Sequence, residues 1–425
     1  MSRVEGNGYH DRKKGLGILF DDVFIAAAAR TPFGKLCGTL GRISPTDLGI
    51  YASREAIKRS GIPAGEIDQL IFSNIGQSSA DAYFLPRHIG LYSGLQETVP
   101  ALLVQRICGS GIEAIAQAAE QIQLGKADSV LCGGAENMSL SPSSSFGSRM
   151  GHPLGKPGFV DMLWESLEDT AAVSMGRTAE NVARRHVLTR DLADQYAKRS
   201  VDCYLSARTA GFFEDEIHKL NSAVFECAGL HPRKVNLPKG VRDFNTDEHV
   251  RPSDLKAMGD LPASFEKEGV QTAGNSSGIV DGASAAVVVS GRSCRASNLQ
   301  TMSRVLACST TALDPKLMGL GPVSSIRLLL EISGLELDDI GLFEINEAFA
   351  SQYLGCEMEL GLDREKCNVH GGAIAIGHPL AATGTRLAMT LSRAMRLRKV
   401  RYGIASACIG GGQGIAMLLE NTSTQ

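Results

Sequence analysis

The chain has 425 residues, of which 43% are hydrophobic and 21% charged, with a formal net charge of -3 at pH 7. This amino-acid composition is typical of a globular protein, and the chain is long enough for two or three domains. The negative net charge excludes a general nucleic-acid binder. No apolar run approaches the ~20 residues of a membrane span, and the 10 cysteines form no Cys-x-x-Cys pair or zinc-spaced cluster, so neither a metal site nor a disulfide framework is expected.

Residues 1–15 are polar and mix acidic with basic side chains. They lack the apolar core of a signal peptide, so we expect a disordered extension or leader there. Residues 1–20 are therefore placed outside the folded domains, and the first folded unit is expected to begin at about Asp21.

Cys108 precedes an alanine-rich stretch whose isoleucines and alanines recur at helical spacing from Ile112 to Gln123. Gly125 then supplies a stop signal. The thiol is thus predicted at a helix N-terminus, where the macrodipole favours a thiolate near neutral pH. The alternative is a small buried cysteine that packs as a hydrophobe.

Residues 139–278 read as an insertion, with a helix predicted from Ala179 to Arg208. Near its end, Gly274–Gly278 fits the Gly-x-Ser-x-Gly pattern of serine hydrolases, which requires a helix after the serine. The valine-rich run from Ala283 to Val289 instead predicts a strand, so a serine hydrolase is disfavoured.

The second half contains two more reactive segments. His378 lies between a glycine and a proline, shortly before a helix predicted from Arg386 to Leu397, and Cys408 precedes a glycine-rich turn. A nucleophilic cysteine needs a base to take its proton and an acid to return one. A histidine and a second cysteine are chemically sufficient for both steps.

An internal repeat indicates how these segments meet. Ser60-Gly61-Ile62 matches Ser333-Gly334-Leu335, and the same offset of 273 residues lays Cys108 over Ala381, just after His378. Two copies of one α/β unit pack as pseudo-twofold partners. We expect one unit over residues 21–138 plus 279–300 and a second over 301–425, with Cys108 and His378 near equivalent helix starts.

Several short motifs in one order resemble the thiolase family of acetyl-CoA C-acyltransferases, from about Val23 to Glu420. Each motif alone is weak, but their order over nearly the whole chain is specific. The matching segments are Ala28–Gly34, Cys108–Gly111, Met175–Asn181, Thr272–Gly278, Asn346–Phe349, Gly377–Pro379 and Cys408–Gly412.

The resemblance implies a five-layered αβαβα sandwich of two repeated α/β halves with an inserted loop domain, assembled as a homodimer or homotetramer. It implies a ping-pong reaction through an acyl-cysteine: condensation of an acyl-CoA with acetyl-CoA, or cleavage of a 3-oxoacyl-CoA by CoA. Coenzyme A thioesters would be substrates, with no tightly bound cofactor. We expect a role in fatty acid and lipid metabolism in the cytoplasm, because reactive thiols need a reducing compartment.

Residue roles follow from the same resemblance. Cys108 would be the acylated nucleophile, His378 its base, and Cys408 the group that moves the proton at the alpha carbon. Asn346 would hold a water that forms one oxyanion hole with His378, and the N–H groups of Cys108 and Gly410 would form the other. The contacts to coenzyme A are assigned to Ser277 and Arg251, and for Arg251 an ordinary solvated loop arginine is the alternative.

Two alternatives to a thiolase are a condensing enzyme of the same superfamily and a non-catalytic binding protein. A β-ketoacyl condensing enzyme of the same superfamily lacks a second catalytic cysteine, so Cys408 argues against it. A non-catalytic acyl-CoA or lipid-binding relative would not need Cys108, His378 and Cys408 together. The acyl chain length is left open, because Ala381–Gly384 is typical of long-chain members whereas Asn346 is not.

Overall fold

The computed structural model describes residues 7–152, 154–155 and 158–424 of the chain. Its strands are β1 (Gly8–Asp11), β2 (Gly15–Leu19), β3 (Val23–Arg30), β4 (Gly34–Lys35), β5 (Gln69–Ser73), β6 (Ala101–Val104), β7 (Ser129–Glu136), β8 (Ser143–Ser144), β9 (Val160–Asp161), β10 (Ala223–Phe225), β11 (Arg233–Val235), β12 (Val280–Ser290), β13 (Ser303–Ala312), β14 (Ile340–Ile345), β15 (Tyr402–Ile409) and β16 (Gln413–Glu420). Its α-helices are α1 (Pro45–Ser60), α2 (Leu85–Tyr92), α3 (Ser110–Gln123), α4 (Met162–Glu165), α5 (Met175–Arg185), α6 (Arg190–Thr209), α7 (Leu255–Gly259), α8 (Gly291–Ala296), α9 (Gly321–Ser333), α10 (Ala350–Leu360), α11 (Ala373–Ile376) and α12 (Leu380–Arg398).

The main sheet consists of two half-sheets with the same internal order. The first runs β3-β12-β7-β5-β6 and the second β13-β16-β15-β14, and β3 pairs with β13 where the halves join. In each half the second strand is antiparallel to both neighbours and the next pair is parallel. The structure thus has the pseudo-twofold relation that the sequence repeat predicts, with β6 as an addition to the first half.

The helices and the two half-sheets stack in five layers. Helices α1 and α2 pack on the outer face of the first half-sheet, and α9 and α10 pack on the outer face of the second. Helices α3 and α12 lie between the half-sheets, in the largest apolar cluster of the protein. This is the αβαβα sandwich expected from the sequence.

The two central helices touch at a glycine of each repeat. A Cβ atom added to Gly111 of α3 would lie 2.4 Å from the amide nitrogen of Thr385, and one added to Gly384 of α12 would lie 2.3 Å from that of Ile112. Gly111 and Gly384 are 273 residues apart, so they are equivalent in the repeat. Only glycine permits main chains to approach this closely.

The disordered N-terminal extension predicted from composition is wrong for residues 8–15. Strands β1 and β2 form an antiparallel hairpin, and β2 pairs with β13 from Leu16 to Leu19. Lys14 also forms an ion pair with Glu331 of α9 at 2.6 Å. The hairpin is stabilised by a partner strand almost 300 residues away, which a local reading of polar residues does not detect.

The helix predicted from Ala179 to Arg208 is two helices, α5 and α6. Val187 has a φ of 52°, a left-handed conformation that a helix cannot contain, and the Thr189 side chain caps α6 by accepting a hydrogen bond from the Leu192 amide. Both helices belong to the segment inserted between β7 and β12, which covers the edge of the sheet where β7 and β15 end. No helix in the described ranges is long and apolar enough to cross a membrane.

Candidate active site

A cavity of about 460 Å³ opens where loops of both halves meet under the inserted segment. Three of the predicted residues, Cys108, His378 and Cys408, line this one cavity, and Ser277 lines it from the insertion. Most other lining side chains are apolar. They include Ile107, Met138, Trp164, Leu167, Met175, Phe265, Met318, Phe349 and Leu380.

Cys108 lies in a short 3-10 turn, Ile107–Gly109, that leads into α3. The preceding residue, Ile107, has a φ of 41°, which is strained for a β-branched side chain. The main-chain N–H groups of Gly410 and of Cys108 itself act to lower the pKa of the Cys108 thiol. Main-chain N–H groups from both halves of the protein therefore favour the thiolate form of Cys108.

The expectation that Cys108 is a thiolate near neutral pH is wrong. Burial raises the pKa of the thiol to about 11, and the two N–H donors oppose this effect only in part. Burial penalises the charged form because the sulfur is removed from water. Cys108 is therefore a neutral thiol at rest and must lose its proton during attack.

His378 follows Gly377 at the start of α12 and is held at three points. Its amide donates to the carbonyl of Gly278, its Nδ1 lies 2.6 Å from Oγ1 of Thr383, and its Nε2 lies 3.3 Å from Nδ2 of Asn346. Burial, assisted by the nearby positive charge of Arg386, lowers the pKa of His378 to about 3. The imidazole is thus neutral at rest and can accept a proton.

Asn346 and Glu347 follow β14 and have different tasks. Asn346 faces His378, and its Oδ1 is buried with no hydrogen-bond partner among the described residues. The Glu347 carboxylate instead accepts hydrogen bonds from Tyr196 and Ser200 of α6 and from the Ile374 amide. Glu347 therefore fixes the Asn346 loop to the insertion and to the segment that leads into His378.

Cys408 lies near the end of β15, before a glycine turn. Gly411 and Gly412 have φ values of 80° and 78°, which favour glycine, and the turn directs the Gly410 amide toward Cys108. Burial, and then the proximity of Cys108, raise the pKa of the Cys408 thiol well above its ordinary value. Cys408 is therefore a second protonated thiol in the same cavity.

A second cavity of about 550 Å³ continues from the first and shares Phe265, Ser276 and Ser277 with it. Arg251 lines this second cavity, not the first, with its Nη2 3.3 Å from Nε2 of His249. The two cavities together form a path from the outer surface to Cys108. Arg251 is at its outer part and Ser277 is at its centre.

Four further residues contribute to the site, although the sequence analysis assigned them no role. The Ser276 hydroxyl is buried at the junction of the cavities and has no partner among the described residues. The buried Glu136 carboxylate accepts from the amides of Gly76 and Ala381 and so joins β7 to the start of α12. The other two are Glu347 and Thr383. Neighbouring motifs marked the loops, but not which side chain in each makes these contacts.

No group of three or more His, Cys, Asp or Glu side chains that could hold a metal ion occurs in the part of the chain that the structure describes.

Comparison with known proteins agrees with this geometry. Residues 23–292 match the family model for the thiolase N-terminal domain, and residues 299–421 match that for the thiolase C-terminal domain. The chain therefore belongs to the thiolase family, whose members are acyltransferases.

The similar proteins of this family are named either 3-ketoacyl-CoA thiolase or acetyl-CoA acetyltransferase. The chain is 40% identical to the mitochondrial 3-ketoacyl-CoA thiolase of Homo sapiens over 408 residues, which cover 95% of this chain and 100% of that protein. It is also 40% identical to the acetyl-CoA acetyltransferase of Escherichia coli (strain K12), over 93% of this chain and 98% of that one. The crystal structure of the human mitochondrial enzyme superposes with a TM-score of 0.89, at 40% identity over 94% of this chain and 98% of that chain.

The raised pKa of Cys108 predicts how alkylation depends on pH. Because only the thiolate reacts, the rate of Cys108 modification by iodoacetamide should rise about tenfold per pH unit between pH 7 and 9. Peptide mass mapping of time points measures this rate, and the exposed Cys37 serves as an internal record of reagent activity. A Cys108 rate that is already constant at pH 7 would show a resting thiolate.

Proposed function

We propose that this chain catalyses reversible acyl transfer between coenzyme A thioesters. It would condense an acyl-CoA with acetyl-CoA, or cleave a 3-oxoacyl-CoA with free CoA, through an acyl-Cys108 intermediate. The observation that carries the proposal is the presence of two cysteines and one histidine in a single cavity, beside main-chain donors aimed at Cys108. Membership of the thiolase family supports it.

In the cleavage direction, Cys108 gives its proton to Nε2 of His378 while its sulfur attacks the substrate in the first half-reaction. The sulfur attacks the 3-oxo carbon of the substrate, and the bond between C2 and C3 breaks. This leaves an acyl group on Cys108 and the enolate of acetyl-CoA. The N–H groups of Cys108 and Gly410 would bind one oxyanion, and each fixed donor of this kind is typically worth about 3 kcal/mol.

The enolate then takes a proton from Cys408, which the raised pKa keeps protonated until a strong base forms beside it. Asn346, through a bound water, and the protonated His378 would stabilise the enolate oxygen before that step. Free CoA then gives its thiol proton to the Cys408 thiolate and attacks the acyl-Cys108 thioester. The shortened acyl-CoA is released, and the departing Cys108 sulfur takes back its proton from His378. Condensation is the same sequence in reverse, with Cys408 accepting the alpha proton.

Coenzyme A would occupy the path formed by the two cavities. Ser277, and with it Ser276, is placed to contact the pantetheine arm, and Arg251 is placed for the negatively charged nucleotide end. A structure of the human mitochondrial relative in complex with CoA, with a TM-score of 0.88 and 40% identity, supports coenzyme A as the ligand. In this proposal residues 139–278 recognise the coenzyme, and the two halves, 21–138 plus 279–300 and 301–425, supply the chemistry.

We also propose a homodimer or homotetramer. Strand β6 is the last strand of the first half-sheet, and within the described ranges only β5 pairs with it. An open edge with exposed Leu102 favours pairing with a second copy of the same strand. A monomeric mass in light scattering would contradict this part. The proposed compartment is the cytoplasm, since Cys108 and Cys408 must both stay reduced.

The proposal is tested by a thiolysis assay that follows the loss of 3-oxoacyl-CoA over a series of chain lengths, with and without free CoA. We expect turnover that requires CoA and is abolished in Cys108→Ala. A non-catalytic binding protein would give no turnover with any chain length. A decarboxylating condensing enzyme would instead consume malonyl thioesters and leave the 3-oxoacyl-CoA intact.

Replacing Cys408 separates the two half-reactions. Cys408→Ala retains the nucleophile and His378, so acetyl-CoA should still acylate Cys108, while condensation and alpha-proton exchange should fall by ~10² or more. Cys132→Ala, which removes a buried thiol of β7 that does not line the cavity, is the matched control and should keep both activities. Condensation by Cys408→Ala at the rate of the unchanged protein would make Cys408 a packing residue only.

A further inference from the structure

Thr383 is the one side chain among the described residues that forms a hydrogen bond with Nδ1, the inner nitrogen of His378. It lies in the first turn of α12, is fully buried, and does not line the cavity. Its Oγ1 is 2.6 Å from Nδ1 of His378 and 3.1 Å from the carbonyl oxygen of Pro379. Because Nδ1 faces this buried hydroxyl, only Nε2 of His378 is available to the cavity.

Two arrangements of hydrogen atoms fit these positions. In the first, Nδ1–H donates to Thr383, whose hydroxyl donates to the Pro379 carbonyl, and the Asn346 amide donates to Nε2. In the second, the Thr383 hydroxyl donates to Nδ1, and Nε2–H donates to an inverted Asn346 amide. The first makes three hydrogen bonds and the second makes two. Buried polar groups favour the arrangement that leaves fewer of them unpaired.

We propose that Thr383 is a positioning residue that holds His378 in the tautomer protonated at Nδ1, so that the Nε2 lone pair can take the Cys108 proton when it exchanges the 3.3 Å contact with the Asn346 amide for the thiol. This inference rests on the proposed role of His378 as the base. A neutral Cys108 makes the tautomer decisive, because His378 must be able to accept the proton at the moment of attack. With the proton on Nε2, the same imidazole cannot act as the base.

The relay from Pro379 through Thr383 to His378 also keeps the ring oriented after it becomes protonated. Nδ1–H keeps its acceptor, and the new Nε2–H points into the cavity, where the substrate oxygen would lie. Arg386 of the same helix is the charged group that acts on His378, and it lowers the pKa of the ring together with burial. The other titratable groups that line the same cavity are Cys108, Cys408, Glu168 and Arg177.

The tautomer can be read directly by ¹⁵N NMR of the full-length protein labelled at histidine, with the His378 signals assigned by comparison with His378→Asn. We expect a protonated Nδ1 and an unprotonated Nε2 at neutral pH. A resting ring protonated at Nε2 would overturn the proposal. The readout does not depend on turnover, so a protein with the expected tautomer but no thiolysis would refute the proposed function and leave the positioning role intact.

Variants of Thr383 test whether its hydroxyl affects the rate of Cys108 acylation. Thr383→Val keeps the shape of the side chain and removes the hydroxyl, so the rate constant for acylation of Cys108 should fall at least ~10-fold, below the ~10²–10⁴ of complete loss of a base. The KM for acetyl-CoA should not change, because Thr383 does not line the cavity. Thr383→Ser should restore most of the rate.

Thr390→Val is the matched control, since it removes another buried hydroxyl from α12 that bonds to Glu216 and not to His378. Its acylation rate should equal that of the unchanged protein, even if its melting temperature falls. Unchanged acylation in a folded Thr383→Val protein would show that the hydroxyl does not set the state of His378. The tautomer of the unchanged protein decides the question if Thr383→Val does not fold.

Discussion

Helices α3 and α12 cross with their main chains in contact, and the rest of the active site depends on this contact. Gly111 and Gly384 occupy equivalent places in the two repeats, and at each of them a single Cβ atom would meet main-chain atoms of the other helix at less than 2.5 Å. Cys108 precedes the first glycine by one helical turn, and His378 precedes the second by about two. The contact thus brings a nucleophile from one half and a base from the other to the same point.

This arrangement buries Cys108 and His378, and burial determines their ionisation states. The site lies in the middle layer of the sandwich, so water stabilises neither a thiolate nor an imidazolium. The pKa of Cys108 is raised to about 11 and that of His378 is lowered to about 3. An ion pair between a Cys108 thiolate and a protonated His378 is therefore disfavoured in the resting protein. The proton must pass from Cys108 to His378 as the carbon–sulfur bond forms. Fixed N–H donors matter more in such a site, because they stabilise charge without reorganising.

Much of the fold and site could be predicted from the sequence because the repeat and the motifs are local signals. The helix after Cys108 and the strand after Gly278 follow from the residue pattern. The meeting of Cys108 and His378 follows from the repeat, and the addition of Cys408 follows from the resemblance to thiolases. The N-terminal hairpin could not be predicted, since its stability depends on β13, far away in sequence. The break at Val187 has a local signal, the Thr189 cap of α6, which the reading of helical periodicity did not take into account.

The ionisation of Cys108 was mispredicted for a related reason. A helix N-terminus can be read from the sequence, but the depth at which it is buried cannot, and here desolvation outweighs the main-chain donors. The roles of Thr383 and Glu347 are likewise not visible in the sequence. Each lies within a recognised motif, and its importance depends on a partner that only the folded chain supplies.

The most direct test of this account is to add one methyl group to the helix contact. Gly111→Ala and Gly384→Ala should each lower the melting temperature and slow acylation of Cys108 by acetyl-CoA, because the two helix starts must move apart. Gly259→Ala, at a position where a Cβ atom meets nothing within 4 Å, should leave both quantities unchanged. A Gly111→Ala protein that melts and acylates like the unchanged chain would show that the close helix contact does not set the geometry of the site.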